Sequence, residues 1–359
     1  MPYKLPIGPY HPALEEPYKL LLTCRGEVIE DVQVEVGFVM RSIELLAQRR
    51  NYIQDLVLVE HVCGICSNVH AMTFAMAAEK IAGIELPPRA LYIRTIVAEL
   101  ERLHSHLLWA GIGAEDIGYR SMFMEIYYLR ERVMDILEAI SGNRVNYGMI
   151  ALGGVTRDLT DPESILTAVR EVRKGVEKVV IPIFTQDATV KARTQGIGVL
   201  STEDAVAYGA VGPLARASNV PDDIRESDPY GAYPELGFKP VVLPGCDVQA
   251  RVVVRALEML EAVRLIEEAL RLIPAGPIRI ADPLPVIPAG EATARAEAQR
   301  GEVFYYVASD GSDTPVRVKI RTPSFVNIPA VQAITRGQFL ADLPLIQASI
   351  DPCISCTDR

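Results

Sequence analysis

The sequence predicts a mainly α-helical α+β protein, in which a multi-helix core carries small β-sheet elements near both ends. Apolar residues recur every three or four positions through most of residues 38–273, as on one face of an amphipathic helix. Short stretches near each end, at 18–37 and 302–320, instead have the two-residue period of strands. The 359 residues are enough for one large domain or two fused domains.

The first elements are delimited by turn and capping residues. Residues 18–37 predict a β-hairpin that turns at residues 25–26. A long helix is expected over 88–110. A second helix is expected over 122–140 and should end at Gly142, because glycine readily adopts the left-handed conformation that closes helices.

The later elements are predicted from the same signals, namely capping residues, apolar periodicity and turn residues. Asp161 is placed to cap a third helix, with Pro162 at its first position. A fourth helix is expected over 247–273. The segment 274–300 is rich in proline and alanine and is predicted to be irregular. A second hairpin should then turn near residues 310–311.

Composition and charge exclude several classes of function. The net charge of −10 gives no electrostatic support to nucleic-acid binding. No run of about 18 apolar residues predicts a membrane span, and the N-terminus lacks the apolar core of a signal peptide. These features favour the cytosol, where paired cysteines more often bind metal than form disulfides.

Four of the six cysteines form two Cys-x-x-Cys pairs, in "EHVCGICSNVH" and in "DPCISCTDR". Cys63 and Cys66 precede a predicted helix, whose N-terminus would lower the pKa values of their thiols. Cys353 and Cys356 lie in a tail that would fray unless something held it, and a metal shared with the first pair would do so.

The residues alone leave the identity of that metal open. Structural zinc sites usually join pairs about 12 to 20 residues apart, so a zinc site is the weaker interpretation of pairs at opposite ends of the chain. Thiolates select soft metals such as nickel, iron, copper or zinc. Four thiolates also suit an iron–sulfur cluster.

Together the two pairs resemble the metal-binding signatures of the large, catalytic subunit of [NiFe]-hydrogenases. Further stretches, among them "GPYHPALEEP", "ELERLHSHLLWAG" and "GPLARASNVPDDIR", resemble the membrane-bound, energy-converting branch (group 4) of that family. This branch is also similar to the 49-kDa-type, quinone-site subunit of complex I, whose members lack the four-cysteine set. The resemblance covers nearly the whole chain and implies one domain over 1–359. Its parts would be a β-hairpin at about 18–37, a helical core at about 38–273, and an irregular and β segment with a metal-binding tail at 274–359.

The resemblance implies a Ni–Fe centre that splits hydrogen heterolytically. Cys63 and Cys353 would be terminal nickel ligands, and Cys66 and Cys356 would bridge nickel to iron. The iron would also carry carbon monoxide and cyanide, which no side chain supplies.

Further site residues are implied by their positions in family motifs. Arg300 in "EAQRGEV" matches an arginine that overhangs the open metal position, although relatives usually have proline where this chain has Gln299. Ser324 matches a hydroxyl that hydrogen-bonds a cyanide, and Asp351 could pair with Arg300. His70, one helical turn after Cys66, could donate to a cysteine sulfur. Without the resemblance, Arg300 would be read as a solvated loop charge and His70 as a core histidine.

Proton transfer requires a titratable side chain next to a dry site. Glu16 in "HPALEEP" matches the glutamate of the proton relay in the energy-converting group, and Glu15 is the alternative because alignment to other relatives shifts by one residue. The simpler interpretation is a surface pair of acids. His104 and His106 are expected to be structural rather than ligands.

The remaining cysteines are too few to hold a [4Fe–4S] cluster, so such a cluster should lie in a partner, the iron–sulfur small subunit. The resemblance also implies other complex I-like hydrophilic subunits, membrane ion-pumping subunits and a ferredoxin-type electron donor, at the cytoplasmic side of the cell membrane. Some relatives bind magnesium at the position of Glu44, but their motif ends in histidine where this one ends in Arg359, so magnesium is not expected.

The resemblance therefore implies the catalytic subunit of an energy-converting [NiFe]-hydrogenase, which reduces protons to H2 with electrons from a ferredoxin-type donor. Two alternatives stay open. One is a non-catalytic, complex I-like quinone-site or coupling subunit, which nickel content would distinguish. The other is a structural zinc scaffold, which metal analysis would reveal.

Overall fold

A computed structural model describes residues 1–281 and 285–359. It has the predicted class, a mainly helical chain with small antiparallel sheets near both ends. The strands are β1 (Tyr3–Ile7), β2 (Lys19–Arg25), β3 (Val28–Glu35), β4 (Ile150–Ala151), β5 (Gly154–Val155), β6 (Ala289–Ala298), β7 (Gly301–Asp310) and β8 (Arg317–Arg321). The helices of the first half are α1 (Ile43–Ala47), α2 (Tyr52–Glu60), α3 (Ser67–Ala82), α4 (Pro88–Asp116), α5 (Arg120–Ser141) and α6 (Pro162–Gly175).

A π-helical turn at Val176–Val180 continues α6, and single 3-10 turns occur at Tyr233–Glu235 and Leu340–Asp342. The remaining helices are α7 (Ile181–Gln186), α8 (Ala188–Thr194), α9 (Thr202–Ala207), α10 (Gly212–Arg216), α11 (Ile224–Ser227), α12 (Val248–Leu272), α13 (Pro323–Asn327), α14 (Ala330–Thr335), α15 (Leu343–Ile350) and α16 (Ile354–Asp358).

The N-terminal sheet contains the predicted hairpin and one strand that the sequence did not predict. β2 and β3 pair around a turn in which Gly26 has a φ of 60°. β1 adds to the free edge of β2, with Leu5 opposite Leu22. This makes β1 an edge strand. Pro6 is tolerated in it because an edge strand needs backbone donors on one side only, whereas proline, which has no N–H, would break the pairing of a central strand.

Helix α4 is the central element of the core and packs against α5 and α12. It runs six residues beyond the predicted end, to Asp116. The capping predictions hold: Asp161 accepts a hydrogen bond from the Ser164 N–H, and Gly142 closes α5 in the left-handed conformation. None of the helices in the described part of the chain is both long enough and apolar enough to cross a membrane.

The prediction that 274–300 is irregular was wrong for its second half, which forms β6. β6 pairs with β7 from Ala289–Asp310 to Ala298–Gly301, so only residues 299–300 make the turn. The strand escaped prediction because its buried face consists of alanines, which have a low β propensity but pack closely under α3. Residues 282–284 of this segment lie outside the described residues.

Candidate metal centre

The structure brings the four paired cysteines together inside the protein. Cys63 Sγ lies 3.4 Å from Cys353 Sγ, and Cys66 Sγ lies 3.5 Å from Cys356 Sγ. All four residues are at most 3% exposed, and none forms a disulfide. The two pairs therefore face each other across a short gap although 290 residues separate their members in the chain.

Each pair lies at the N-terminal end of a helix, α3 for the first pair and α16 for the second, and Cys356 is within α16 itself. Cys66 precedes the first residue of α3, and the Ile65 N–H donates to Cys63 Sγ at 3.3 Å. In the second pair, Cys353 caps α16, and the Cys356 N–H donates to Cys353 Sγ at 3.4 Å. Asp351 makes the sharp entry to this second pair, with a φ of 56°.

Arg41 joins the two cysteine segments, and the sequence analysis missed it. Its Nη2 donates to Val62 O at 2.8 Å and to Ser355 O at 2.7 Å. These carbonyls belong to the residues just before Cys63 and Cys356. One guanidinium thus fixes the spacing of the two pairs, which local sequence patterns cannot reveal because the contacts are long-range.

The end of the chain is held firmly rather than frayed. Asp358 accepts hydrogen bonds from the Gly37 and Val39 N–H groups at 2.9 Å. Arg359 Nε donates to Glu44 Oε1 at 3.1 Å. Lys319 Nζ also lies 3.1 Å from the Glu44 carboxylate. These two side-chain cations therefore engage the Glu44 carboxylate.

The cysteines interact strongly as titrating groups. Hydrogen bonds from the neighbouring thiols, that of Cys353 first, lower the pKa of Cys63 well below the ordinary thiol value. The hydrogen bond that Cys356 makes to Cys353, together with burial, raises the pKa of Cys356. The protein alone therefore favours one thiolate in the cluster, and a bound cation is needed to hold all four sulfurs deprotonated.

The spacing of the sulfurs fits metal coordination. Sulfurs that each lie about 2.3 Å from one metal ion are roughly 3.8 Å apart in a tetrahedral site. The Sγ atoms of Cys63, Cys66 and Cys356 all lie within 4.8 Å of one another. Within residues 1–281 and 285–359, the buried Asn68 amide and one Asp351 carboxylate oxygen lack hydrogen-bond partners. These polar atoms are thus available to hydrogen-bond a group that is bound beside the thiols.

Arg300 lies in the two-residue turn between β6 and β7 and points into the protein, not into solvent. Its Nη2 donates to Asp351 Oδ1 at 2.6 Å and its Nε to Asp351 O at 2.8 Å. Nη1 reaches Ser105 Oγ at 3.4 Å. The guanidinium is therefore a buried positive charge beside the second cysteine pair, and the interpretation as a solvated charge does not apply.

Gly212 packs directly against the backbone of this turn. A Cβ at Gly212 would lie 2.3 Å from Arg300 O, and the φ of Gly212 is +68°. Gly209 has a similar φ of +63° but no atom within 4 Å of a Cβ. A residue with a Cβ would therefore be strained at both positions, but only at Gly212 would it also overlap the Arg300 turn.

We expect Gly212→Ala to lower the free energy of unfolding by about 3 kcal/mol or more, because strain and overlap combine. Gly209→Ala should cost only about 1 to 2 kcal/mol, since it adds strain alone. Urea denaturation of the metal-free chain would measure both. Equal losses for the two variants would show that the Arg300 turn moves away without cost.

His70 lies beneath the second pair, with Nε2 3.5 Å from Cys356 Sγ. Its Nδ1 is 2.8 Å from the hydroxyl of Tyr305, a residue that the sequence analysis did not identify. Burial lowers the pKa of His70 to about 4, so the ring is neutral. If Tyr305 donates to Nδ1, the ring proton is on Nε2 and faces the sulfur.

Ser324 and Glu16 both contact the second cysteine segment. Ser324 Oγ accepts a hydrogen bond from the Cys353 N–H at 2.9 Å. Glu16 Oε2 accepts from the Ile354 and Ser355 N–H groups, the latter at 3.0 Å. Burial raises the pKa of Glu16, although these backbone hydrogen bonds act in the opposite direction.

Glu15 lines a pocket of about 260 Å³ together with Asp116 and Pro352. The protein atoms packed around its carboxyl group raise the pKa of Glu15 to about 8, although the residue as a whole is exposed. For proton transfer, the exposure of Glu15 matters more than its raised pKa, because a carboxyl in contact with water exchanges protons with the solvent directly.

His104 and His106 lie in buried polar contacts away from the thiols. His106 Nε2 is 2.9 Å from Glu258 Oε2, and His104 Nε2 is 2.6 Å from Arg130 Nη2. Both histidines are therefore engaged by charged residues of the helical core. This placement agrees with the structural role expected for them.

Comparison with known proteins relates this geometry to a family. The model of "Respiratory-chain NADH dehydrogenase, 49 Kd subunit" matches residues 116–288 and 281–359, more than half of the chain. The model of "Nickel-dependent hydrogenase" matches residues 41–110, which include Cys63 and Cys66. The chain belongs to the family that joins membrane-bound hydrogenase large subunits to the 49-kDa subunit of complex I. It is therefore an oxidoreductase subunit of the hydrogenase and complex I type.

Individual members of this family are similar along the whole chain. The membrane-bound hydrogenase subunit alpha of Pyrococcus furiosus is 43% identical, over 99% of this chain and 87% of its own length. The carbon monoxide-induced hydrogenase of Rhodospirillum rubrum is 42% identical over 99% of both chains. One chain of a solved structure, that of the membrane-bound sulfane sulfur reductase (MBS), an archaeal respiratory membrane complex, superposes with a TM-score of 0.93 at 33% identity, covering 100% of this chain and 98% of that chain.

Proposed function

We propose that this chain is the catalytic subunit of an energy-converting [NiFe]-hydrogenase that reduces protons to H2. The observation that carries the proposal is the convergence of four buried thiols from opposite ends of the chain. A soft metal centre explains both the convergence and the tight anchoring of the C-terminal tail. The similarity to two hydrogenases over 99% of the chain supports the same reaction class.

In this proposal, Cys63, Cys66, Cys353 and Cys356 would hold nickel and iron, with carbon monoxide and cyanide on the iron. When bound, the centre would supply the heterolytic chemistry of hydrogen. The protein excludes water from the thiols and keeps the Arg300 charge beside them. His70 can donate a hydrogen bond to the Cys356 sulfur, which lowers the electron density on that ligand. Glu16, at the second pair, would carry protons between the site and the surface.

The proposal is tested by metal analysis of the anaerobically purified chain together with infrared spectroscopy. We expect nickel and iron in equal amounts and bands from iron-bound carbon monoxide and cyanide. Zinc in place of nickel, without such bands, would contradict the proposal and support the structural scaffold.

A second candidate is a non-catalytic, complex I-like coupling subunit. It is favoured by the match of the 49-kDa subunit model to residues 116–288 and 281–359, which include the second cysteine pair. In that case the chain, expressed with its maturation proteins, would contain no nickel and no infrared bands of these diatomic ligands.

The exposed apolar surface next to the tail supports an iron–sulfur partner subunit. Met40, Leu45 and Phe325 are 64%, 49% and 49% exposed, and they surround Arg359 at a groove of about 510 Å³. Other proposed partners are complex I-like hydrophilic subunits, membrane ion-pumping subunits and a ferredoxin-type donor, on the cytoplasmic side of the membrane.

We expect the chain without its partner to pass no electrons to a redox dye, because no described residues beyond the four cysteines could hold an electron-transfer cluster. The interface should bury more than about 2,000 Å², as obligate interfaces commonly do. Dye-linked activity and sedimentation of the chain, alone and with the small subunit, would measure both. Full dye-linked activity of the isolated chain would contradict this prediction.

A further inference from the structure

We infer that Glu101 and Gln299 form a positioning pair that holds Arg300 at a fixed position relative to the first cysteine pair. Glu101 lies on α4 and Gln299 precedes Arg300 in the β6–β7 turn. Both residues are completely buried. The functional consequence rests on the proposed hydrogenase chemistry, whereas the physical link between the two residues does not.

The Glu101 carboxylate is a junction between two elements of the site. Oε1 accepts from the Asn68 N–H at 2.7 Å, and Oε2 accepts from the Val69 N–H at 3.2 Å. These N–H groups belong to the first turn of α3, immediately after Cys66. Oε2 also accepts from Gln299 Nε2 at 3.1 Å. One carboxylate thus connects the helix that follows Cys66 to the turn that carries Arg300.

The same face of α4 holds the Arg300 turn at two more points. Arg102 donates to Glu297 O at 2.7 Å and to Ala298 O at 3.1 Å, at the end of β6. Ser105, one helical turn after Glu101, contacts the Arg300 guanidinium. Helix α4 therefore holds the end of β6, the β6–β7 turn and the Arg300 side chain. The Glu101–Gln299 hydrogen bond is the contact that also reaches the first cysteine pair.

Gln299→Leu removes the donor and leaves an apolar side chain that is one atom shorter, and exposed Gln33 on β3 offers the control Gln33→Leu. In the complete hydrogenase complex, we expect Gln299→Leu to keep its nickel while proton reduction falls about tenfold. The infrared bands of the diatomic ligands should shift, because the Arg300 charge moves relative to them. A merely structural role would lower the melting temperature and leave the bands unchanged, and that result would overturn the inference.

Hydrogen exchange in the metal-free chain tests the link independently of catalysis. Gln299→Leu should speed exchange at the Asn68 and Val69 amides about threefold or more, because Glu101 loses its tether to the turn. Gln33→Leu should leave both amides unchanged. If Gln299→Leu also leaves them unchanged, the link is absent. If the complex contains no nickel but the amides respond, the proposed function fails while the link stands.

A double-mutant cycle gives the third readout. Glu101→Gln turns an amide NH2 toward donors, so it should weaken the same link and slow proton reduction. Combined with Gln299→Leu, the loss should exceed the larger single loss by no more than about twofold, because coupled residues are non-additive. Fully additive losses would show that the residues act separately.

Discussion

Replacing Cys63 by serine should abolish nickel binding and reduce H2 production at least about a hundredfold, equivalent to roughly 2.7 kcal/mol in the barrier. A serine hydroxyl is a hard ligand with a high pKa, whereas the nickel of the proposed centre would require a soft thiolate. Among the four clustered thiols, hydrogen bonds from the neighbouring thiols lower the pKa of Cys63, whereas the pKa values of the other three are raised, so Cys63 is the first sulfur ready to bind a cation. Nickel analysis and proton-reduction assays would measure the effect.

Cys246→Ser is the matched control for this substitution. Cys246 is half-buried and lies outside the four-cysteine cluster. Within the described part of the chain, its sulfur donates a hydrogen bond to Pro244 O at 3.5 Å and makes no contact with the cluster. Nickel content and activity should therefore remain at the level of the unsubstituted protein. Normal nickel content in Cys63→Ser would show that three sulfurs suffice and that Cys63 is not a required ligand.

Elements whose signals are local could be predicted from the sequence. The Asp161 cap and the Gly142 end are each recognised within one helical turn, and the structure has both. β6 was missed because alternation among alanines carries little hydrophobic contrast, so its burial depends on α3, a distant element. The capping of helices is thus predictable, whereas strands of small residues depend on what packs over them.

The residues of the candidate site also divide into those that the sequence reveals and those that depend on contacts far away in the chain. The two cysteine pairs were evident from spacing alone, and the resemblance connected them with Arg300. The residues that set their geometry were not evident, because Arg41 and Glu101 are ordinary charged residues in helical or turn sequence. Their importance comes from contacts with segments far away in the chain, such as that of Arg41 with Ser355. A single sequence contains no signal for such contacts.

Glu16→Gln should leave nickel content and infrared bands nearly unchanged while proton reduction falls at least about tenfold, equivalent to roughly 1.4 kcal/mol in the barrier. The amide oxygen of glutamine can still accept from the Ile354 and Ser355 N–H groups, so the backbone beside the cysteines should keep its position. What glutamine cannot do is ionise. The substitution therefore separates proton transfer from the support of the tail.

The raised pKa of Glu16 makes this residue suitable as a proton relay. Burial disfavours the charged form, so the carboxyl stays protonated to higher pH than an exposed glutamate and can be both neutral and charged during turnover. Activity limited by protonation of Glu16 should fall as pH rises through its pKa, because the neutral, proton-carrying form is lost. In Glu16→Gln this descending limb should disappear from the pH–rate profile.

Glu15→Gln is the control, and it should reduce activity much less. Glu15 is exposed at the mouth of its pocket and makes no hydrogen bond to the cysteine segments among the contacts of the described residues, so water can replace it as a proton carrier. A larger loss in Glu15→Gln than in Glu16→Gln would assign the relay to Glu15 and correct the alignment by one residue. If neither substitution slows turnover, protons leave the centre by another route and Glu16 serves only to hold the tail.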